Sequence, residues 1–323
     1  LENAKVSIVI PTYNREKCII DLLKCLFRQD YKNLEILVID QSEHLSAEKQ
    51  NLIRDKPEGL RYYKIQERGR SLAKNYGILL ATGDIILFCD DDIIVPDNFI
   101  STHVALYKNP DIAAASCRLV EEGQPAVAIG KPLRTTFYGR LINKPFSTKS
   151  DFVTSLNGGN MSFRKDVLQQ VGFFEEYFIG TSMVEEPDIA YRIVKSGYKL
   201  FFDASITVLH YPQFNGNIAE MSGKRADWFY YYFFNLSIFY LKYGRVANMF
   251  FVFIYSQVLS LKHVLKFRLS YSDYRRMVGG FFEGFNRARE VAKLPTPAKY
   301  YTPLRFEKKT YEPVTVQTSR QVF

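Results

Sequence analysis

Short apolar runs alternate with longer amphipathic stretches through the first 120 residues, which predicts βαβ units around a mainly parallel sheet. The strands read as Val6–Ile10, Glu35–Asp40, Leu60–Ile65, Asp84–Cys89 and Ile112–Val120. Between the first two, Arg15–Arg28 sets Cys18, Ile19, Leu22, Leu23 and Leu26 at helical spacings, the stripe of a helix lying on a core. A second short helix reads from Ser71 to Ala81, where Gly83 stops it. Later, Pro187–Ser196 reads as a helix and Leu200–Leu209 as a strand. From Pro295 the proline-containing, charged sequence reads as a surface-wrapping end.

The pattern changes beyond Leu209. Trp228–Leu241 is uncharged and mostly aromatic, and Val246–Leu261 is a second uncharged apolar run. Lys242 and Arg245 separate them; Lys262, Lys266 and Arg268 follow. Each run is shorter than the ~18 to 20 residues a spanning helix needs. Helices lying in the bilayer interface are expected instead, with a helical subdomain packed on the body as the alternative. Charge sharpens this picture. Residues 1–220 carry 26 Lys and Arg against 28 Asp and Glu, and residues 221–323 carry 17 against 6, so the net +9 comes from the last third. A near-neutral body with a basic end suggests an anionic partner. The aromatic, apolar setting of those cations selects an anionic membrane surface and argues against nucleic acid. At 323 residues the chain exceeds what one core usually serves. The expected division is a body over 1–215, with a nucleotide-binding half (1–120) and an acceptor and catalytic half (121–215), followed by a membrane-interfacial helical region over 216–323.

Cys18, Cys25, Cys89 and Cys117 sit in apolar patterns without metal or redox spacing and read as reduced core residues. No charged-then-apolar leader stands near Leu1. The expected location is therefore cytoplasmic, peripheral on the inner face of the membrane. The sequons at Asn160 and Asn235 read as chance matches.

In a parallel sheet, ligands bind outside the carboxyl ends of the strands. Those ends carry Pro11-Thr12-Tyr13-Asn14, Asp40-Gln41, Gln66-Glu67-Arg68 and Asp90-Asp91-Asp92. Asp90 and Asp92, one residue apart, would project to the same side in extended chain. Two hard oxygen donors so placed suit Mn²⁺ or Mg²⁺, although an acidic run after a strand also suits a solvated turn or a helix cap. Further on, Asn157-Gly158-Gly159-Asn160 reads as a flexible polar loop, and Glu185-Glu186 precede Pro187 at a helix start. A carboxylate there is favoured in its ionised form, either as a base or only as a complement to the helix dipole. Asp188 and Arg192, four apart, are expected to pair with each other. His210 follows a strand, where a lone histidine is either structural or a ligand.

Val6-Ser7-Ile8-Val9-Ile10-Pro11-Thr12-Tyr13-Asn14, then Glu35-Ile36-Leu37-Val38-Ile39-Asp40, Ala73-Lys74-Asn75-Tyr76-Gly77 and Phe88-Cys89-Asp90-Asp91-Asp92, in that order, resemble the nucleotide-sugar half of family 2 glycosyltransferases. Val171-Gly172-Phe173-Phe174-Glu175-Glu176 resembles the family's segment leading to its catalytic carboxylate. The resemblance implies a GT-A fold, a Rossmann-like, mainly parallel sheet flanked by helices. It implies metal-dependent, inverting transfer of one sugar from a UDP-, dTDP- or GDP-linked donor to a glycan or lipid-linked acceptor in polysaccharide or glycolipid biosynthesis. By the same resemblance Pro11, Thr12, Tyr13, Asn14 and Asp40 line the nucleoside, Asp40 accepting a hydrogen bond from the base. Arg68 and Lys74 meet the diphosphate, and the run Asp90, Asp91, Asp92 belongs to the nucleotide-sugar site. Asp90, Asp92 and His210 form the metal site, Asp90 facing the ribose or metal water. Asn157, Gly158, Gly159, Asn160 and Glu185 fall to the acceptor or sugar pocket, and Glu186 becomes the base.

The sequence departs from the family's habits at Gln41, Lys74 and Glu186, where an acidic or small residue, an Arg and an Asp are usual. The Gln-x-x-Arg-Trp of processive members is absent, since the single tryptophan, Trp228, follows Arg225-Ala226-Asp227. A nucleotidyltransferase would need a Gly-rich loop after the first strand, which Pro11-Thr12-Tyr13-Asn14 is not. An inactive membrane-associated binding protein would have no need of Asp90, Asp92 and Glu186. Neither a Walker loop nor a dinucleotide fingerprint occurs.

Overall fold

The computed structural model describes residues 3–44, 46, 48–51, 58–136, 141–180, 183–211, 225–243, 246–291 and 293. Strands β1 (Val6–Thr12), β2 (Leu34–Asp40), β3 (Leu60–Lys64) and β4 (Ile85–Cys89) run parallel in the order β3, β2, β1, β4. Both faces of these strands are covered, which is why they read as continuous apolar runs. Val6, Ile8 and Ile10 join Ile19, Leu22 and Leu26 of α1 (Glu16–Phe27) in one layer. Val9, Leu37 and Phe88 join Ala73, Tyr76 and Ile78 of α2 (Arg70–Leu80) in the other.

The chain continues through β5 (Ile93–Ile94), α3 (Phe99–Leu106), β6 (Ile112–Val120), the antiparallel pair β7 (Leu133–Thr135) and β8 (Leu141–Asn143), β9 (Asp151–Val153), β10 (Asn160–Arg164), α4 (Lys165–Val171), α5 (Glu185–Lys195) and β11 (Lys199–His210). These complete a nine-stranded sheet in the order β3, β2, β1, β4, β10, β6, β11, β5, with β9 beside β11. Through His210 the elements expected from the sequence are present to within two residues at each end.

One central strand escapes the sequence reading. β10 lies antiparallel between β4 and β6; of the expected polar loop, Asn157–Gly159 form the turn that leads into it and Asn160 is its first residue. All four of those residues are buried. The strand is disguised by polar side chains that find partners inside the core: Ser162 Oγ meets Tyr107 Oη and His103 Nδ1, each at 2.8 Å. Burial of Asn160 and Asn235 agrees with the chance reading of both sequons, and all four cysteines are free and buried.

Three further helices follow, α6 (Arg225–Lys242), α7 (Val246–Phe267) and α8 (Tyr271–Val291). The expected junction at 215/216 and the end beyond Pro295 lie outside the described residues. Helices α6 and α8 pack almost backbone to backbone: a Cβ on Gly280 would lie 2.1 Å from Tyr230 O, and one on Gly284 2.3 Å from Phe234 O. The other side of α6 rests on the body, where Lys242 Nζ reaches Glu175 Oε1 at 2.5 Å and Tyr243 Oη reaches Asp188 Oδ1 at 2.7 Å. Helix α7 corrects the expectation of a short apolar run. It continues through Lys262 and Lys266, so that the 21 residues Ala247–Phe267 are long and apolar enough to cross a membrane, and only 17% of the apolar window is buried.

Candidate active site

The centre of the site is a seam between the two halves of the sheet. β4 ends at Cys89, opposite Asn160 at the start of β10, and Asp90 N donates to Gly159 O at 3.1 Å. This pairing lays Gly158 and Gly159 between carboxylates from distant parts of the chain. A Cβ on Gly159 would stand 3.7 Å from Asp90 Oδ2, and one on Gly158 would stand 2.1 Å from Glu186 Oε1. Only glycine leaves room at 158 for the Glu186 carboxylate as it stands.

The first turn of α2 braces both carboxylate groups. Arg70 Nη2 lies 2.7 Å from Asp90 Oδ1, Ser71 Oγ donates to Glu185, and Lys74 Nζ lies 2.5 Å from Glu185 Oε1 and 4.0 Å from Glu186 Oε1. Glu185 and Lys74 are sealed from solvent, whereas the Glu186 side chain keeps 14% of its surface. Burial pushes the Glu186 carboxyl above its ordinary range, Lys74 opposes the shift, and Glu185 adds to it. A carboxylate so tuned is a stronger base than a surface glutamate.

Asp91 and Asp92 are fixed differently. Thr12 Oγ1 donates to Asp91 Oδ2 at 2.7 Å, and Arg15 Nη1 bridges Asp91 Oδ1 at 3.0 Å and Asp92 Oδ2 at 2.6 Å. Burial raises Asp91 to about 6, with Arg15 opposing, so Asp91 belongs to the scaffold of the run. The other Asp92 oxygen, Oδ1, is buried without a hydrogen bond and lies 3.4 Å from His210 Nε2. Against the upward push of burial, His210 and Arg15 hold Asp92 below its ordinary value. Both side chains border a 610 Å³ cleft whose walls include Lys17, Cys18, Glu121 and Tyr211.

This pair fits Mn²⁺ or Mg²⁺. Donors at about 2.1 Å from one such cation sit roughly 3 Å apart when adjacent, and an orphaned carboxylate oxygen beside an imidazole nitrogen meets that need. Among the described residues no three His, Cys, Asp or Glu side chains gather for a metal, so the remaining ligands would come from elsewhere. Asp90, expected in the metal site, is paired through Oδ1 with Arg70.

At the β1 and β2 ends, the Arg68 guanidinium stacks 4.9 Å from the Tyr13 ring centre and pairs with Glu43. Beside them a 320 Å³ cleft is lined by Asn14, Glu16, Ser42, Glu43, His44 and Lys49, among others. Asn14 is in the left-handed region (φ 52°) and donates its N–H to Ser42 Oγ at 2.8 Å. Pro11, part-buried, precedes Thr12 in β1. Asp40 lies beneath this floor. Its carboxylate is fully buried and occupied by Lys49 Nζ at 3.1 Å, Tyr62 Oη and the Ser42 amide at 2.7 Å. Asn157 and Asn160 each bury a side-chain Nδ2 without a hydrogen-bond partner.

The structure thus gathers Asp90, Gly158, Gly159, Glu185 and Glu186 at one seam and Asp92 with His210 at a neighbouring edge. It sets Lys74 on Glu185, Arg68 on Tyr13, and Asp40 below the surface. Sequence reasoning missed Arg15, Arg70 and Ser71. The signal for Arg70 was its place after Gly69, directly in the first turn of α2 at the carboxyl edge of the sheet.

The chain is similar to known proteins in sequence and in fold. The profile of Glycosyl transferase family 2 matches residues 7–172. The GalNAc(5)-diNAcBac-PP-undecaprenol beta-1,3-glucosyltransferase of Campylobacter jejuni is 28% identical over 222 residues, 63% of this chain and 67% of that protein. An uncharacterized glycosyltransferase of Rickettsia conorii is 32% identical over 121 residues, 33% of this chain, and the match spans only 20% of its length. The fold is shared with a mannosyltransferase of Pyrobaculum calidifontis solved with GDP-Man and Mn²⁺ (TM-score 0.53, 18% identity, 94% of this chain and 83% of that one). By its family profile, its fold and its relatives, the chain belongs to glycosyl transferase family 2.

Proposed function

We propose that this chain is an inverting glycosyltransferase that moves a single sugar from a nucleotide diphosphate sugar to an acceptor hydroxyl. The observation that carries the reading is the seam itself: Asp90 of the donor half stands beside Gly159 and Glu186 of the acceptor half beside the adjacent Gly158. Tyr13 and Arg68 receive the nucleoside, with Asp40 shaping the pocket from below. Arg70 and Arg15 hold the acidic run, and Asp92 with His210 would hold Mn²⁺ or Mg²⁺. When bound, the cation neutralises charge on the departing diphosphate. Glu186 accepts the proton of the acceptor hydroxyl as that oxygen bonds to the anomeric carbon, and the bond to the diphosphate breaks with its electron pair leaving on phosphate oxygen. Displacement from the opposite face inverts the configuration. The absence of Gln-x-x-Arg-Trp supports one transfer per encounter.

A lipid-linked acceptor and a peripheral position on the cytoplasmic face of the membrane complete the proposal. The C. jejuni relative is named for an undecaprenol-linked acceptor. Helix α7 supports the same reading: from Ala247 to Leu261 every exposed residue is apolar (Ala247, Phe250, Phe251, Ile254, Val258, Leu261), and exposed Lys262, Lys266 and Arg268 follow. Helix α8, packed against α7, exposes Arg275, Glu283, Arg287 and Glu290. Those charges keep the bundle out of hydrocarbon, so α7 lies in the interface with its free face toward lipid. The base assignment is tested by Glu186→Gln. Nucleotide binding should persist while turnover falls by roughly 10² to 10⁴; retained turnover removes Glu186 from the role.

A further inference from the structure

Glu185 and Glu186 begin α5 directly after a strained residue. Val184 has φ 94° and ψ −8°, a left-handed conformation that a β-branched side chain rarely adopts. Strain of this kind persists only where the surroundings over-determine it. Here the surroundings come from α6. The Val184 side chain is 2% exposed, within the apolar cluster that includes Phe229, Phe233 and Leu236. Asn235 of α6, fully buried, gives its hydrogen-bonding capacity to the approach to that turn: Oδ1 accepts from Ile179 N at 3.1 Å, and Nδ2 donates to Ile179 O at 3.0 Å and Met183 O at 3.1 Å. Two turns further along α6, Lys242 Nζ lies 3.3 Å from Asp188 Oδ1 in the first turn of α5, with Tyr243 Oη on the same oxygen. The start of α5 is gripped before and after Glu186.

We propose that Asn235 is a positioning residue for sugar transfer. It holds Met183 and Val184 in the strained turn that aims the Glu186 carboxylate past Gly158, which makes α6 part of the catalytic apparatus as well as a support for α7. The inference rests on the base role of Glu186 for its consequence, but the clamp can be tested apart from that role.

The test is hydrogen exchange by mass spectrometry over the start of α5, together with kcat, KM and Mn²⁺-dependent nucleotide affinity, for Asn235→Ala and for the Val184→Gly/Asn235→Ala double variant. Asn235→Ala should speed exchange over 185–190 at least about tenfold, with β1 unchanged. It should lower kcat by about 10²-fold, the cost of a misplaced catalytic group, without changing nucleotide affinity. Glycine adopts φ near 94° freely, so the double variant should recover kcat at least threefold over Asn235→Ala. Unchanged exchange at α5, a uniform rise across the chain, or no recovery on adding Val184→Gly overturns the clamp. If Asn235→Ala does not fold, Asn235→Asp, which keeps the acceptor and loses both donors, is read the same way. Retained turnover in Glu186→Gln alongside loosened α5 in Asn235→Ala would sink the base role and leave the clamp standing.

Discussion

Gly158 presses its α-carbon so close to Glu186 that a methyl group there would stand 2.1 Å from the carboxylate oxygen. The two residues come from different elements, and neither is informative alone. Gly158→Ala should therefore push Glu186 aside, lowering kcat by about 10²-fold while leaving nucleotide affinity in the other half unchanged. Steady-state kinetics with a parallel nucleotide titration reads this. A wild-type kcat would mean that Glu186 stands elsewhere during transfer.

Asp92 Oδ1 and His210 Nε2, 3.4 Å apart, carry the metal assignment. Asp92→Ala is expected to abolish the Mn²⁺-dependent part of nucleotide binding, and His210→Ala to weaken it by about tenfold or more, as loss of one ligand does. Mn²⁺ titration followed by electron paramagnetic resonance reports this without turnover. Undiminished Mn²⁺ affinity in Asp92→Ala would move the site.

The raised carboxyl of Glu186 links stability to pH. Its pKa is higher folded than unfolded, so the fold disfavours the ionised form. The cost is absent below the unfolded value, grows between the two values and is complete above the folded one. Glu186→Gln should accordingly raise Tm at about pH 8 and change it little near pH 4, measured by scanning calorimetry. A lower Tm at the alkaline end would contradict the raised pKa.

Helix α7 offers Phe250, Ile254, Val258, Leu261 and Leu265 to its surroundings, with Phe250 66% and Leu265 71% exposed. Ile254→Glu/Val258→Glu should release the protein from phosphatidylglycerol-containing vesicles in sedimentation without lowering nucleotide affinity. Binding that persists in the double variant would leave the apolar face to another occupant.

Much of the fold was legible because the covered parallel strands and the α1 stripe are decided by local pattern. The acidic run after β4 and the pair that begins α5 were legible as candidate chemistry, since both stand at element ends where polar residues need a reason. β10 was not, because Ser162 and Asn160 are polar residues whose partners lie on remote elements. The destinations of Lys74 and Asp40 were hidden for the same reason. A buried ion pair between Lys74 and Glu185, or Lys49 and Asp40, is a tertiary fact that spacing along the chain does not record. The length of α7 was underestimated because Lys262 and Lys266 look like a boundary in sequence, while in the helix they extend into solvent.

The most direct measurement is calorimetric titration of UDP, GDP and dTDP into the purified protein, with Mn²⁺ and again with EDTA. One diphosphate should bind with Mn²⁺, lose most of its affinity in EDTA, and bind equally well to Glu186→Gln. Folded protein that binds none of them in either condition would contradict the transferase reading at its root.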